Sequence, residues 1–119
     1  MELVFLSLAL LQIKHWYIDF VNQDEEEVKY KAEYMDWRGL KHSLKQGVGT
    51  ALVLILCTVD PVWAWALSGI DFLVHYHVDW MKMNYGNRDI KTPQFWAHLG
   101  LDQMAHQLTY IGIIAILTL

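Results

Sequence analysis

Three times in this chain a histidine is followed four positions later by an aspartate, inside a segment built otherwise mainly from aliphatic and aromatic residues. The pairs are His15…Asp19, His75…Asp79 and His98…Asp102, and the order is reversed in Asp102…His106. Side chains four apart leave one face of an α-helix, one turn from each other. Ionisable groups in so apolar a setting are costly unless they meet partners, and by default they mark a functional site. The chain must therefore form helices that turn these faces towards one another. Asp71 extends the middle pair into a stripe, Asp71–His75–Asp79. His77 stands about 160° from that stripe in helical projection and is read as structural or interfacial.

The segments carrying these pairs delimit four helices, at 2–22, 40–58, 61–82 and 94–119, with an amphipathic segment at 24–38. A helix crosses roughly 30 Å of hydrocarbon at about 1.5 Å per residue. The apolar body of the second, Val48–Cys57, is short, so that helix has to be tilted or shielded. The run Asn22 to Glu27 reads as a solvated face whose carboxylates cap the next helix. Asp60-Pro61 supplies an N-cap with proline at the first helical position, and Trp63 and Trp65 suit an interfacial belt. Residues 83–93, with Gly86, Asn87 and Pro93, read as a polar loop. The apolar start lacks a basic leader and a small-residue cleavage site, so it is expected to remain as a helix.

The expected fold is all-α, a single domain over 1–119: a four-helix integral membrane bundle with an amphipathic cytoplasmic surface helix. Five of the nine Lys and Arg lie between residues 23 and 46, and Lys82, Arg88 and Lys91 flank or occupy the later loop. The turn at 58–61 and both ends carry none. The positive-inside rule then puts both loops in the cytoplasm and both termini outside. With that topology His15, Asp19, His42, His75, Asp79, Asp102 and His106 all fall at one depth, in the cytoplasmic halves of the helices.

Other chemistries are poorly served. The lone Cys57 excludes an intrachain disulfide. No glycine-rich phosphate loop or serine nucleophile elbow is present, and the basic residues form no stripe for nucleic acid. Imidazole and carboxylate together ligate zinc, manganese or iron, and facing helices can converge them on an ion. The number of His and Asp exceeds one tetrahedral zinc, so two or three divalent ions are expected, zinc before manganese or iron. A bridging aspartate and an ionised water would then attack an ester or phosphodiester. His15, Asp19, His42, His75, Asp79, Asp102 and His106 form the expected metal shell, with Asp79 and Asp102 as catalytic carboxylates. Each has a plainer reading as an interhelical hydrogen-bond partner. His98 could ligate or face headgroups, and Asp71 could orient His75 from outside. Gln23, Gln46, Gln103 and Gln107 could orient ligands or bond between helices. Lys82 reads as a snorkelling anchor, with phosphate binding as its alternative.

The motifs His15-Trp16-Tyr17-Ile18-Asp19-Phe20, His42, His75-Tyr76-His77-Val78-Asp79-Trp80 with Lys82, and Asp102-Gln103-Met104-Ala105-His106 carry a resemblance over nearly the whole chain. The chain resembles a family of small, uncharacterised membrane proteins of bacteria and their phages, known as a domain of unknown function. Many relatives have a second histidine in the second helix where Gln46 stands here. That family is itself similar to LexA-regulated membrane-bound metal-dependent hydrolases and, more distantly, to all-helical zinc phospholipase C and P1 nuclease.

The resemblance implies hydrolysis of a phospholipid or another phosphoester at the cytoplasmic leaflet, with membrane lipid as partner and a homo-oligomer as an open alternative. The second expectation is a non-enzymatic phage membrane protein, a host-modulating or exclusion factor, whose His/Asp cluster is structural. A metal or proton carrier comes third, because the apolar halves of the helices offer no second half-pathway.

Overall fold

The computed structural model describes residues 2–86 and 89–118, with the backbone alone for Glu26 and Val28. Met1, Asn87 and Arg88 of the expected loop, and Leu119 at the expected end of the last helix, lie outside them. The described chain is all-helical. Four long helices are α1 (Glu2–Trp16), α3 (Trp37–Leu56), α4 (Pro61–Tyr85) and α5 (Pro93–Thr118), and a short α2 (Glu25–Tyr30) lies between the first two. α1 is prolonged by a π-helical turn, Tyr17–Val21, closed by the Asn22 amide donating to Tyr17 O at 2.7 Å. Such wide turns re-aim side chains and are frequent at functional sites.

Local chemistry sets the helix ends. Asp24, Asp36 and Asp60 each accept a backbone N–H from the first turn of α2, α3 and α4, at 2.8, 2.9 and 2.9 Å. Pro61 opens α4, where its missing N–H costs nothing. Between α3 and α4 the chain reverses through Thr58 in the left-handed region (φ 67), with Val59 N donating to Leu54 O at 2.9 Å.

The long helices form a ring, α1 against α3, α3 against α4, α4 against α5, and α5 back against α1. α1 faces α4, and α3 faces α5, across the interior. Gly47 lets α3 approach α4: a Cβ there would lie 3.2 Å from Phe72 Cβ and 3.3 Å from Ser68 O. The interior is split along its length. One half is an apolar core of Leu11, Val53, Leu54, Ala64, Leu67, Tyr110, Ile113 and Ile114. The other half is polar and holds His15, Asp19, His42, Gln46, His75, Asp79, Asp102 and His106, all buried. The outside is largely apolar, with Phe5, Ile13, Leu52, Leu56, Trp63, Leu73, Leu101, Leu108 and Ile111 exposed.

The segment expected as a surface helix at 24–38 is instead a strap over the polar half. Its own helix, α2, is six residues long, and Glu27 and Lys31 point inward, 1% and 7% exposed. The strap docks on α4: Tyr76 Oη accepts the Met35 amide at 2.6 Å and Asn84 Nδ2 donates to Ala32 O at 2.9 Å. The run Asn22–Glu27 is thus only partly the solvated face that its charge suggests, because the buried His42 and the part-exposed Lys45 draw Glu27 in. Among the described residues, Glu2–Val21 is the one helix whose length and mean hydropathy suffice to cross a membrane.

Candidate metal centre

The π-helical turn presents Asp19, the start of α3 presents His42, the second half of α4 presents His75 and Asp79, and the first half of α5 presents Asp102 and His106. They meet on the axis of the ring. Asp19 Oδ1 lies 2.8 Å from His42 Nε2 and 3.6 Å from His75 Nε2. The two imidazole Nε2 atoms are 3.1 Å apart. Asp79 Oδ2 lies 3.0 Å from His75 Nε2 and 3.7 Å from His42 Nε2. A tetrahedral ion with ligands at 2.0–2.1 Å has ligand–ligand edges of about 3.3–3.4 Å, and these separations straddle that value. The donor set of two imidazoles and two carboxylates suits zinc or another first-row divalent ion.

A second group adjoins the first through the other oxygen of the same carboxylate. Asp79 Oδ1 is 3.5 Å from His106 Nε2, which is 2.9 Å from Asp102 Oδ1. The rings of His75 and His106 stack with centroids 3.9 Å apart. Asp79 therefore stands where a bridging carboxylate would. Both of its oxygens are buried without a well-directed hydrogen bond, although Lys31 Nζ approaches Oδ2 to 3.2 Å. Buried carboxylate oxygens that lie between imidazoles without a well-directed donor are what an ion would satisfy. Among the described residues three overlapping groups of side chains could hold one: His15, Asp19 and His75; His42, His75 and Asp79; and Asp79, Asp102 and His106.

All seven residues expected as the metal shell thus converge, but they are not equivalent. His15 meets the cluster from the side, its Nε2 3.2 Å from Asp19 Oδ2 and 2.7 Å from Gln103 Oε1. Several side chains behave differently from expectation. Asp71 does not reach His75; it accepts from Thr50 Oγ1 at 2.5 Å and pairs with Lys14 Nζ at 3.5 Å, one layer deeper. Lys82 is not simply a snorkelling anchor, since its Nζ sits 2.8 Å from Asp102 Oδ2. His77 is exposed and bonds the strap through Tyr34 Oη at 3.0 Å. His98 lines a cavity beside Lys82 and Asp102. Gln46 donates to Asp19 Oδ1 at 3.0 Å and Gln103 to Asp102 Oδ2 at 3.1 Å, so both orient carboxylates. Gln23 donates to the Asp19 carbonyl at 2.7 Å.

Three participants escaped the sequence reading. Glu27 Oε2 lies 3.4 Å from His42 Nδ1, the outer carboxylate that typically fixes a ligating imidazole, and Lys45 Nζ pairs with its other oxygen at 2.6 Å. Lys31 reaches Asp79 from the strap. Lys14, adjacent to His15 in sequence, points inward and donates to Gln46 Oε1 at 2.7 Å and Tyr110 Oη at 2.8 Å. A lysine in an apolar helix beside a His–Asp pair was the available signal for the last. Glu27 and Lys31 carried none, because only the path of the strap turns them inward.

The family described as "Protein of unknown function (DUF3307)" matches residues 7–119. Neither a curated protein nor a solved structure matches the chain.

Proposed function

The chain belongs to the DUF3307 family, and from the chemistry of its buried centre we propose that it is a membrane-embedded, metal-dependent hydrolase of a phospholipid or other lipid-linked phosphoester. The observation that carries this reading is Asp79, whose two oxygens face two adjoining imidazole–carboxylate groups, the arrangement of a two-ion site. Bound there, divalent ions would supply Lewis acidity, charge neutralisation for phosphate and a water acidified towards neutral pH. The residues do the rest. His42, His75 and His106 would hold the ions together with Asp79, and Asp102 lies at the edge of the cluster beside Lys82.

A cavity of about 320 Å³ between α4 and α5 supports the choice of substrate. It is lined by Val78, Met81, Tyr85 and Leu101 and runs to Lys82 and Asp102. An acyl chain suits its walls and an anionic phosphate suits the Lys82 ammonium. The membrane setting is supported by the distribution of polarity, with one half of the interior polar and the outside largely apolar, over a body 42 Å long against a hydrocarbon layer of roughly 30 Å. α3, α4 and α5 carry the ligands on their inner faces, which lowers their mean hydropathy without changing what they present outward. With the positive-inside rule the centre would lie towards the cytoplasmic leaflet of a bacterial inner membrane.

Elemental analysis of protein purified in mild detergent without chelators tests the metal, beside a His75→Ala/Asp79→Ala variant. The expectation is about two equivalents of zinc or manganese, lost in the variant. Asp79→Asn and Asp102→Asn should then abolish release of phosphate or alcohol from anionic phospholipids while helicity is kept. No bound metal, and none taken up on reconstitution, would end the hydrolase reading. A second reading, a non-enzymatic protein whose cluster fastens the bundle, is favoured by the complete burial of His42, His75 and His106. It predicts unchanged biological effect in Asp102→Asn.

A further inference from the structure

The proton inventory of the layer beneath the cluster assigns His15 a role different from that of the other histidines. Lys14 Nζ has four close partners, Gln46 Oε1 at 2.7 Å, Tyr110 Oη at 2.8 Å, the Gln46 carbonyl at 3.3 Å and Asp71 Oδ2 at 3.5 Å. An ammonium has no lone pair, so every neighbour accepts. Tyr110 is fully buried and must place its own phenolic proton. The acceptor on hand is His15 Nδ1, 2.9 Å away. Nδ1 then offers its lone pair, and the imidazole proton sits on Nε2.

The opposite end of the chain of bonds gives the same answer independently. Asp102 Oδ2 takes Lys82 Nζ at 2.8 Å, so that oxygen is an acceptor, and Gln103 Nε2 at 3.1 Å must donate to it. That orientation turns Gln103 Oε1 towards His15 Nε2 at 2.7 Å, which therefore donates. The same N–H edge faces Asp19 Oδ2 at 3.2 Å. Gln46 is oriented likewise: its oxygen is held by Lys14, so its nitrogen donates to Asp19 Oδ1 at 3.0 Å.

We infer that Lys14, acting through Tyr110, fixes His15 as the Nε2–H tautomer, so that His15 steers Asp19 as a hydrogen-bond donor and stands outside the metal shell. An Nε2 that carries a proton has no lone pair for an ion. The divalent-cation shell is then Asp19, His42, His75, Asp79, Asp102 and His106, and Lys14, Tyr110, Gln46 and Gln103 are positioning residues. Chains of donors from Lys14 end on Asp19 and Asp102, which aims both carboxylates. The ligand assignment rests on the metal reading above; the tautomer does not.

The test is histidine ¹⁵N NMR of the full chain in detergent micelles, with and without added zinc, with His15 assigned by its disappearance in His15→Gln. The expected spectrum has His15 protonated at Nε2 and bare at Nδ1, unchanged by zinc, while His42, His75 and His106 shift. Tyr110→Phe should strip Nδ1 of its donor and move its ¹⁵N signal while Gln103 keeps the proton on Nε2, and His15→Gln should bind as many zinc equivalents as the parent with affinity lower by about 10–100-fold. His15 bare at Nε2, a zinc-dependent shift at that nitrogen, or loss of a zinc equivalent in His15→Gln would overturn the assignment. Zinc that moves no histidine while His15 keeps its Nε2–H would refute the metal reading and leave the relay standing.

Discussion

Lys14 and Asp71 lie in the interior of the ring with their side chains 8% and 0% exposed and their charged atoms 3.5 Å apart. At an effective dielectric constant near 20 that separation corresponds to an attraction of about 5 kcal/mol. Replacing either partner alone, Lys14→Met or Asp71→Leu, strands the other charge and should cost about 3–5 kcal/mol. Replacing both removes the two charges together. What remains is Gln46, Tyr110 and Thr50, each short of one hydrogen-bond partner, at about 1 kcal/mol apiece. The double variant should therefore lose about 3 kcal/mol, where the sum of the singles is about 8 kcal/mol. The assay is reversible unfolding in mixed detergent micelles, followed by far-ultraviolet circular dichroism as the denaturing detergent is raised. A double variant as unstable as the sum of the singles, within about 0.5 kcal/mol, would refute the pairing and with it the cationic root of the relay to His15.

Glu27→Gln removes the carboxylate behind His42 and should weaken zinc binding by about 10–100-fold, read by chelator competition, with the helical content unchanged. Gly49→Ala would bring a Cβ to 2.8 Å from Lys14 Cδ, whose ammonium is pinned at its far end, and should destabilise by about 1–3 kcal/mol in the same unfolding assay. Lys82→Met should lower kcat/KM on an anionic lipid phosphoester by about 10–100-fold, the worth of one charge-assisted hydrogen bond, while leaving zinc stoichiometry as it was. The Glu27 amide, and then Lys41, hold the Asp24 carboxyl below its usual pKa. Its contribution to the strap is present above the ordinary carboxylate value and lost as pH falls through the lower folded value. Asp24→Asn should flatten the acid limb of the unfolding midpoint measured downward from neutral pH.

The helical character of the chain was legible in residues alone. Four-residue His–Asp spacing inside apolar runs demands helices, and Asp60-Pro61 announces the start of α4. The convergence of His15, Asp19, His42, His75, Asp79, Asp102 and His106 followed from placing those runs side by side, because a ring of four helices has one interior and the costly groups must share it. Helix ends were less legible: α3 begins at Trp37 rather than 40, since Asp36 and not a later residue accepts the first-turn amide.

Tertiary structure alone decided what each ionisable group does once inside. Periodicity specifies a face and says nothing of depth along a neighbouring helix, so Asp71 seemed available to His75 and instead met Thr50 and Lys14. A charged stretch reads as solvated because hydration is the default for Glu and Lys. Glu27 and Lys31 depart from it only because the strap crosses α4 and brings them to His42 and Asp79. The separation of His15 from the other histidines lies deeper still. Its sequence context is the same His–Asp pair, and the difference is the direction of the protons, which depends on two amides and a phenol drawn from α3 and α5. Residue type and spacing determined that a polar centre must form within an apolar bundle; the three-dimensional order of donors and acceptors determined which members of it are free to hold an ion.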